Sequence, residues 1–349
     1  MSETVVKLVV AGIGLVGRRH VAAIRQTAGT EIAAVVDPSP EARAYAEDAG
    51  LTIYETLEAM FDALSPDGVI LSTPTPLHVD QAMLCVARGC PALVEKPLAT
   101  SAQAAAELVA AAEAAGVPLL VGHHRRHNPL IKKAFELISG GEIGQVRAVQ
   151  ASAWFYKPES YYDVAPWRKA KGAGPISVNL AHDVDLIRHL CGEITSVRAE
   201  ATPSIRGYEN EDVAAAVFRF ENDAIGTITV SDAIVAPWSW ELTAQEYPIY
   251  PRTAESCYLI GGSHGSLSLP DLRIWSHGAT RDWWTPISAT SLTRDSSDPL
   301  LNQIAHFAQV IRGDAAPLVS GLEGLRTLRV IEAIQSAAAS GDAVEISRD

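Results

Sequence analysis

The chain has 349 residues, 48% hydrophobic and 6% aromatic, which is enough to bury a large core and suggests about two domains. Its 28 basic and 41 acidic residues give a net charge of −13, which argues against nucleic acid and anionic membranes as partners. No apolar stretch approaches the ~18 residues of a membrane span, and the N-terminus lacks the pattern of a signal peptide. The four cysteines are scattered, which favours a reducing, cytoplasmic compartment.

The first 120 residues alternate short β-branched runs with alanine-rich segments. The runs are continuously apolar and end at turn residues, which predicts buried strands of a parallel sheet. Strand and helix alternate as in a doubly wound α/β fold with helices on both faces. The predicted strands are 5–11, 31–36, 69–71, 92–94 and 118–121, and the predicted helices are 16–27, 40–49, 56–64, 77–88 and 101–115.

Beyond about residue 128 strands dominate, and several alternate apolar and polar residues, as in 225–230. This pattern predicts an antiparallel sheet with one buried face. The surroundings of Pro237, residues 248–251 and residues 280–298 are predicted to be irregular loops. The predicted strands are 146–155, 196–201, 213–220, 224–232, 239–245, 256–260 and 266–269, and the predicted helices are 129–138, 175–190, 300–311 and 324–338.

A glycine motif follows the first predicted strand directly and opens a helix. Gly12 would make the tight turn, Gly14 would let the backbone approach a pyrophosphate, and Gly17 would let helix and strand pack closely. Leu15 and Val16 lie within the motif and are counted with the predicted cofactor-binding residues. The motif predicts a dinucleotide site, and the alternative interpretation is a simple tight turn.

An acidic residue ends the second predicted strand. Asp37 lies 20 residues after Gly17, where a carboxylate accepts hydrogen bonds from the adenosine ribose. Its charge repels a 2′-phosphate, and the residues that follow supply no neighbouring arginine, so NAD is favoured over NADP. Thr73 and Pro74 follow the third predicted strand and are expected at the same sheet edge. His78 either contacts the cofactor or caps its helix.

A lysine stands at the carboxyl end of the fourth predicted strand, between Glu95 and Pro97. At that edge the ammonium group of Lys96 would point toward the place of a nicotinamide ring and could hydrogen-bond a substrate oxygen. Taken alone, a lysine at a strand end is more often a solvated surface charge.

Taken in order, these motifs resemble the Gfo/Idh/MocA family of nicotinamide-dependent oxidoreductases, which act on sugars, inositols and related cyclic polyols. The series continues through 121–129, 172–185 and 317–324, so the resemblance covers essentially the whole chain. It implies a Rossmann domain over 1–125 and an α/β domain with a large, mostly antiparallel sheet over 126–349. It also implies NAD as cofactor, a small polyhydroxylated substrate, and a homodimer or homotetramer formed through the C-terminal sheet.

The resemblance also assigns roles by position. Lys96 resembles the family's catalytic lysine, with Glu95 and Pro97 as its neighbours, and the Lys–Pro peptide bond is often cis there. Glu95 and Lys96 are also counted with the predicted cofactor-binding residues, as are Thr73 and Pro74. His182 matches the histidine commonly assigned as acid/base. Arg126 matches an arginine that can reach substrate.

One departure from the family pattern concerns proton transfer. Many members carry an aspartate four residues before the histidine, where this chain has Val178. Asn179, three residues before His182 on a predicted helix, is the nearest polar substitute and can share a ligand with it, but an amide cannot act as a base. Asp185 could fix the tautomer of the imidazole. Proton transfer would then fall on His182, Lys96 or both.

Further side chains are predicted to contact the substrate by stacking or hydrogen bonding. The histidines within 123–127 lack the spacing typical of zinc sites, so no metal is expected. Tryptophans at 238, 240, 283 and 284 either form a stacking platform or pack loops and subunits. The predicted substrate-binding residues are His124, Arg126, Tyr156, Trp167, Arg168 and Asn179.

The leading hypothesis is an NAD-dependent dehydrogenase that transfers a hydride between a secondary hydroxyl of a sugar, inositol or related polyol and the nicotinamide. Two other classes use the same residues. One cleaves or eliminates glycosides with a cofactor that is recycled within each cycle, and the other is a cofactor-binding regulator without turnover. Intact Lys96 and His182 argue against the regulator, and Val178 keeps it open.

Overall fold

The structure, a computed structural model, describes residues 4–293 and 295–347. Residues 1–3, which enter the signal-peptide prediction, and residue 294, inside the predicted loop 280–298, lie outside the described residues.

Its strands, in chain order, are β1 (Val6–Ala11), β2 (Thr30–Val36), β3 (Ile53–Tyr54), β4 (Gly68–Leu71), β5 (Ala92–Val94), β6 (Leu119–Val121), β7 (Val146–Trp154), β8 (Ile194–Pro203), β9 (Glu211–Phe220), β10 (Ile225–Ser231), β11 (Tyr258–Gly262), β12 (Gly265–Leu269), β13 (Arg273–Ser276), β14 (Ser288–Ser291) and β15 (Val344–Glu345). Its helices are α1 (Leu15–Gln26), α2 (Pro40–Asp48), α3 (Leu57–Ala63), α4 (His78–Ala87), α5 (Ala102–Ala115), α6 (Pro129–Ser139), α7 (Glu159–Asp163), α8 (Pro175–Val178), α9 (Leu180–Cys191), α10 (Trp240–Thr243), α11 (Pro299–Arg312) and α12 (Gly321–Ser340). Short 3₁₀ turns occur at Thr75–Leu77, His124–His127 and Pro166–Lys169.

The chain divides into two compact units. Among the described residues, the first comprises 4–128 and 297–328, and the second comprises 129–293, 295–296 and 329–347. The sequence places all of 126–349 in the second domain, whereas the structure assigns 297–328 to the first unit.

The first unit is built on a six-stranded parallel sheet in the order β3-β2-β1-β4-β5-β6. All five strands predicted in this region are present, and the short β3 is added at one edge. Successive residues of β1 enter opposite cores: Val9 packs with α3, α4 and α5, and Val10 packs with α1, α2 and α11. Both faces are therefore covered, which is why these strands read as continuous apolar runs.

The segment 297–328 belongs to the first unit because it completes one of these cores. α11 contributes Ile304 and Phe307 to the cluster that holds Leu8. Beyond α11, Ser320 forms an antiparallel bridge with Leu120 of β6. No turn or composition signal in the sequence marks this return of the chain.

The second unit is built on a nine-stranded sheet in the order β14-β13-β12-β11-β7-β10-β9-β8-β15. Every pairing is antiparallel except that of β7 with β10. One face is buried with apolar residues of α6, α9 and α12, among them Leu130, Val184 and Ile334. The other face carries the alternate, exposed residues of β9 and β10, so the predicted one-face-buried sheet is confirmed.

Three local predictions for this unit differ from the structure. The predicted strand 239–245 is wrong: Trp240–Thr243 is helical, because Ser239 Oγ accepts the backbone N–H of Leu242 at 3.4 Å and caps the turn. The predicted helix 175–190 is two helices, α8 and α9, that meet at Asn179. The strands β13, β14 and β15 were not predicted, since their short and partly polar sequences lack a clear alternation.

Within residues 4–293 and 295–347, no helix is both long and apolar enough to cross a membrane.

The packing of 297–328 on β6 can be tested at Gly324, where an added Cβ would lie 2.5 Å from Val121 Cγ2. We expect Gly324→Val to lower the free energy of unfolding by about 1–3 kcal/mol, because the extra side chain overpacks the contact. Gly278 has nothing within 4 Å of its Cβ position, so Gly278→Val is the matched control. Urea denaturation measures both, and equal stabilities of the two variants would contradict the packing.

Candidate functional site

The candidate cofactor residues follow successive strands of one parallel sheet. Because parallel strands end at the same edge, ligands of such sheets bind beyond their carboxyl ends. In the first unit, β1, β2, β4, β5 and β6 are followed respectively by Gly12, Asp37, Thr73, Lys96 and His124.

The turn after β1 depends on glycine. Gly12 has φ of +86°, and an added Cβ would lie 2.6 Å from the carbonyl carbon of Ser72 and from Thr73 N. A Cβ on Gly17 would collide with the Gly12 carbonyl oxygen, so helix and turn can pack only without side chains.

The start of α1 has the features that a pyrophosphate needs. Gly14 has no atom within 4 Å of its Cβ position among the described residues, and no side chain of that part of the chain caps the helix. Leu15 and Val16, the first two helical residues, are exposed. Backbone N–H groups at such a helix start bind anionic groups, so these residues fit a dinucleotide.

Asp37 ties the turn after β2 to the glycine turn. Its Oδ2 accepts the Ile13 N–H at 2.7 Å, and its Oδ1 accepts the Ser39 N–H at 2.8 Å. Burial raises the pKa of Asp37, but these hydrogen bonds and the nearby Arg18 outweigh it, so the pKa lies below its ordinary value. Each carboxylate oxygen keeps a further lone pair for a ribose hydroxyl. The sequence did not reveal Arg18 as a neighbour of this carboxylate.

Glu95 is held from two sides. Its Oε1 lies 2.7 Å from Nε2 of His20, a fully buried residue of α1, and its Oε2 accepts the Lys96 N–H at 3.2 Å. Burial raises the pKa of Glu95, but the hydrogen bond and charge of His20 lower it further, with help from His124 and Lys96, to about 2. The carboxylate is therefore ionised at neutral pH and accepts a hydrogen bond from the N–H at His20 Nε2. Lys96 itself is half-buried, and its bond to Pro97 is cis.

His78 bridges two of the strand-end turns. Its Nε2 lies 2.8 Å from the Thr73 carbonyl oxygen, and its Nδ1 lies 2.9 Å from that of Pro97. The side chain is buried at the start of α4. Both ring nitrogens of His78 therefore face backbone carbonyl oxygens. Direct contact of His78 with the cofactor stays a prediction. Thr73 Oγ1 donates to Gln81 Oε1 at 2.6 Å, and Pro74 is exposed.

The turn after β6 holds two more candidate residues. Arg126 is buried, and its Nη2 lies 2.8 Å from Oε2 of Glu323, at the start of α12. His124 is half-buried and contributes positive potential at Glu95. The partnership with Glu323 was not predicted, because 197 residues separate the two.

The remaining candidates lie in the second unit. Tyr156 and Trp167 are exposed, and the guanidinium group of Arg168 lies 4.1 Å from the ring centre of Tyr161. His182 is buried on α9.

Asn179, at the junction of α8 and α9, accepts a hydrogen bond from Lys157 Nζ at 2.8 Å. No sequence pattern singles out Lys157, which forms an ion pair with Asp232 at 3.1 Å.

The tryptophans differ in their surroundings. Trp240 is buried in the core, donates to Glu246 Oε2 at 2.9 Å and stacks on Tyr258. Trp283 and Trp284 are exposed. Within the described residues, no group of three or more His, Cys, Asp and Glu side chains could hold a metal ion.

A parallel sheet with a glycine turn after its first strand and a carboxylate after its second is typical of a dinucleotide-binding Rossmann domain. The family model "Oxidoreductase family, NAD-binding Rossmann fold" of Gfo/Idh/MocA matches residues 6–123, and that of the GFO/IDH/MocA C-terminal domain matches 131–268. The chain belongs to the Gfo/Idh/MocA family and is an NAD(P)-dependent dehydrogenase acting on CH–OH groups.

Relatives and solved structures agree with this assignment. The chain is 28% identical to D-apiose dehydrogenase of Paraburkholderia graminis over 96% of its own length and 88% of that protein. It is 34% identical to the rhizopine catabolism protein MocA of Rhizobium meliloti over 54% of its length, and the match spans 57% of that relative. The WlbA dehydrogenase of Bordetella pertussis, solved with NADH and UDP-GlcNAcA, has a TM-score of 0.80 at 27% identity and covers 99% of this chain and 100% of its own.

The buried pair of His20 and Glu95 leads to a stability prediction. Gln carries an amide N–H near the place of the histidine Nε2, whereas the shorter Asn does not reach it. We expect His20→Asn to lower the free energy of unfolding by about 1–3 kcal/mol, because Glu95 loses a buried donor, and His20→Gln to lose less than half of that.

The pH dependence of unfolding provides the control. The pKa of Glu95 falls from 4.5 to about 2 on folding. Its contribution to the free energy of unfolding is therefore full above pH 4.5 and is lost as the pH falls toward 2. The difference between wild type and His20→Asn should therefore narrow below pH 4.5 in denaturant titrations. Equal losses for the Asn and Gln variants at neutral pH would contradict the hydrogen bond.

Proposed function

We propose that the substrate is a secondary hydroxyl of a sugar, inositol or related cyclic polyol, and that NAD is the preferred cofactor. The observation that carries this proposal is the place of Lys96, which follows β5 at the sheet edge where Gly12 follows β1. Bound at that edge, the nicotinamide would supply the hydride acceptor. The name of the D-apiose relative and the sugar nucleotide bound to WlbA support a polyhydroxylated substrate.

In this proposal the protein's own groups handle charge and protons. The ammonium group of Lys96 donates to the substrate oxygen and stabilises the negative charge that develops on it. His182 accepts the hydroxyl proton, a task suited to imidazole because it exchanges protons near neutral pH. Val178 offers no carboxylate for this step. Asn179 and Arg126 position the substrate, and His124, Tyr156, Trp167 and Arg168 are further proposed contacts.

The catalytic assignment is tested with Lys96→Ala and His182→Ala. We expect each to lower turnover by roughly 10²-fold or more, since each removes a group that acts on the reacting oxygen. A panel of polyols is followed by NADH absorbance with wild type, and the best substrate is used for the variants. NAD binding and thermal unfolding serve as controls for folding.

Three outcomes of this experiment would contradict the proposal. Wild-type rates in both variants would remove Lys96 and His182 from catalysis. Product formation without net NADH would favour glycoside cleavage or elimination with a recycled cofactor. Binding of NAD without reduction across the whole panel would favour a regulator.

We also propose that the outer face of the nine-stranded sheet binds a second copy of this chain, giving a dimer or tetramer. Alternate residues of this face are large and apolar yet exposed, among them Val217, Ile225 and Leu259. The face also holds a depression of about 670 Å³ lined in part by Trp275 and Ile287. An exposed apolar surface of this kind is typical of a protein interface.

We propose a cytoplasmic location as well. The four cysteines are buried free thiols, which fits a reducing compartment.

The oligomer proposal is tested with Val217→Lys and a control at a similarly exposed valine. Val217 is 46% exposed on β9, and Val5 is 45% exposed before β1. Burial of a lysine charge at an apolar interface is unfavourable. We therefore expect Val217→Lys to lower the molar mass of the oligomer, as measured by light scattering, and Val5→Lys to leave it unchanged. A wild-type monomer, or an unchanged mass for Val217→Lys, would overturn the interface.

A further inference from the structure

A lysine at the end of β7 is brought to the candidate substrate residues by the parallel pairing of β7 with β10. The register sets Trp154 opposite Ser231, and the backbone contact continues beyond the strands, where Lys157 N–H donates to the Asp232 carbonyl at 2.9 Å. Parallel strands end at one edge, so the side chains of Lys157 and Asp232 meet although 75 residues separate them.

The ammonium group of Lys157 is buried and has two polar partners among the described residues. Its side chain is 9% exposed and that of Asp232 is 1% exposed. Nζ donates to Asp232 Oδ2 at 3.1 Å and to Asn179 Oδ1 at 2.8 Å, and it lies 4.8 Å from the ring centre of Tyr161. Burial lowers the pKa of Lys157, and the charge of Asp232 opposes this change.

Arg206 fixes the backbone around this pair. Its Nη2 donates to the carbonyl oxygens of Lys157 at 3.1 Å and Asp232 at 3.0 Å. Its Nη1 lies 3.2 Å from Asp212 Oδ1 and 3.5 Å from Asp232 Oδ1. Two buried cations and two buried carboxylates therefore balance each other, and Lys157 is held in one place.

The contact decides which way the amide of Asn179 faces. An ammonium group has three donors and no acceptor, so only Oδ1 of the amide can face it. The Nδ2 group then points away from Lys157, and it donates to no other group in residues 4–293 and 295–347. Asn179 is half-buried at the start of the helix that carries His182, three residues later.

We propose that Lys157, anchored by Asp232, is a positioning residue that holds the Asn179 amide so that Nδ2–H donates to a substrate hydroxyl oxygen. This inference rests on the proposed function, in which Asn179 contacts the substrate. Lys157 acts through Asn179 and does not itself exchange a proton with the substrate.

A double-mutant cycle tests the route of action. We expect Lys157→Met and Asn179→Ala each to lower kcat/KM by roughly tenfold, and the double variant to be no slower than Asn179→Ala, because the two side chains act as one unit. The matched control is Lys169→Met, which removes a neighbouring lysine that pairs with Asp163 at 3.1 Å. Losses that multiply in the double variant would overturn the positioning role.

A second set of variants separates the donor role from folding. Asn179→Asp keeps an acceptor for Lys157 but removes the N–H donor, so we expect it to be as slow as Asn179→Ala. Lys157→Met removes the lysine that pairs with the buried Asp232 carboxylate, which can destabilise the fold. The variant that combines Lys157→Met with Asp232→Asn removes both charges, so no carboxylate loses its lysine. That combined variant should show the same loss as Lys157→Met. Wild-type kcat/KM in Asn179→Asp would overturn the donor role.

A measurement without turnover separates this inference from the proposed function. The side-chain NH₂ signals of Asn179 in a ¹H–¹⁵N spectrum are assigned by their loss in Asn179→Ala. We expect Lys157→Met to shift them and Lys169→Met to leave them in place, and unshifted signals in Lys157→Met would overturn the inference. Shifted signals together with wild-type turnover in both Lys96→Ala and His182→Ala would overturn the proposed function alone.

Discussion

Backbone contact between the turn after β1 and the turn after β4 is the constraint on which the first unit depends. Ladder bonding continues past the strand ends, since Ser72 N–H donates to the Ala11 carbonyl at 2.8 Å, and Ser72 Oγ lies 2.8 Å from the Gly12 carbonyl. No side chain fits there, so Gly12 and Gly17 are required, and α1 must leave the sheet at this point. The hydrogen bond from Ile13 N–H to Asp37 then ties the end of β2 to the same turn. Three strand ends are thereby fixed before any ligand binds.

Much of the fold and part of the candidate site could be predicted because their signals are local. Apolar runs revealed the parallel strands, and one short motif held Gly12, Gly14 and Gly17. Lys96 could be singled out because it stands at a strand end in a series of motifs whose order resembles the family. The strand predicted at 239–245 failed for an equally local reason, since the hydroxyl of Ser239 caps a helical turn that its apolar neighbours did not suggest.

The residues that could not be predicted are those that hold the candidate residues in place. His20 and Glu95 are 75 residues apart, as are Lys157 and Asp232, and Arg126 and Glu323 are 197 apart. No sequence spacing reports such pairs, because tertiary packing alone brings them together. Each pair buries at least one ionised group, and a buried charge is tolerated only with a partner. The partners of a predicted site residue are therefore as constrained as the residue itself, although a motif search does not find them.

The return of residues 297–328 to the first unit has a consequence for synthesis on the ribosome. α11 supplies Ile304 and Phe307 to the core around Leu8, although most of the second unit lies between these residues in the sequence. The sheet of the second unit is likewise completed by a late segment, since β15 pairs with β8, and α11 and α12 lie between the two strands in the sequence. The core around Leu8 is complete only after α11 has been translated, and the nine-stranded sheet only after β15 has been translated. Domain-by-domain folding during synthesis is thus hindered by connectivity, because the core around Leu8 stays incomplete, with part of its apolar surface uncovered, until α11 is made.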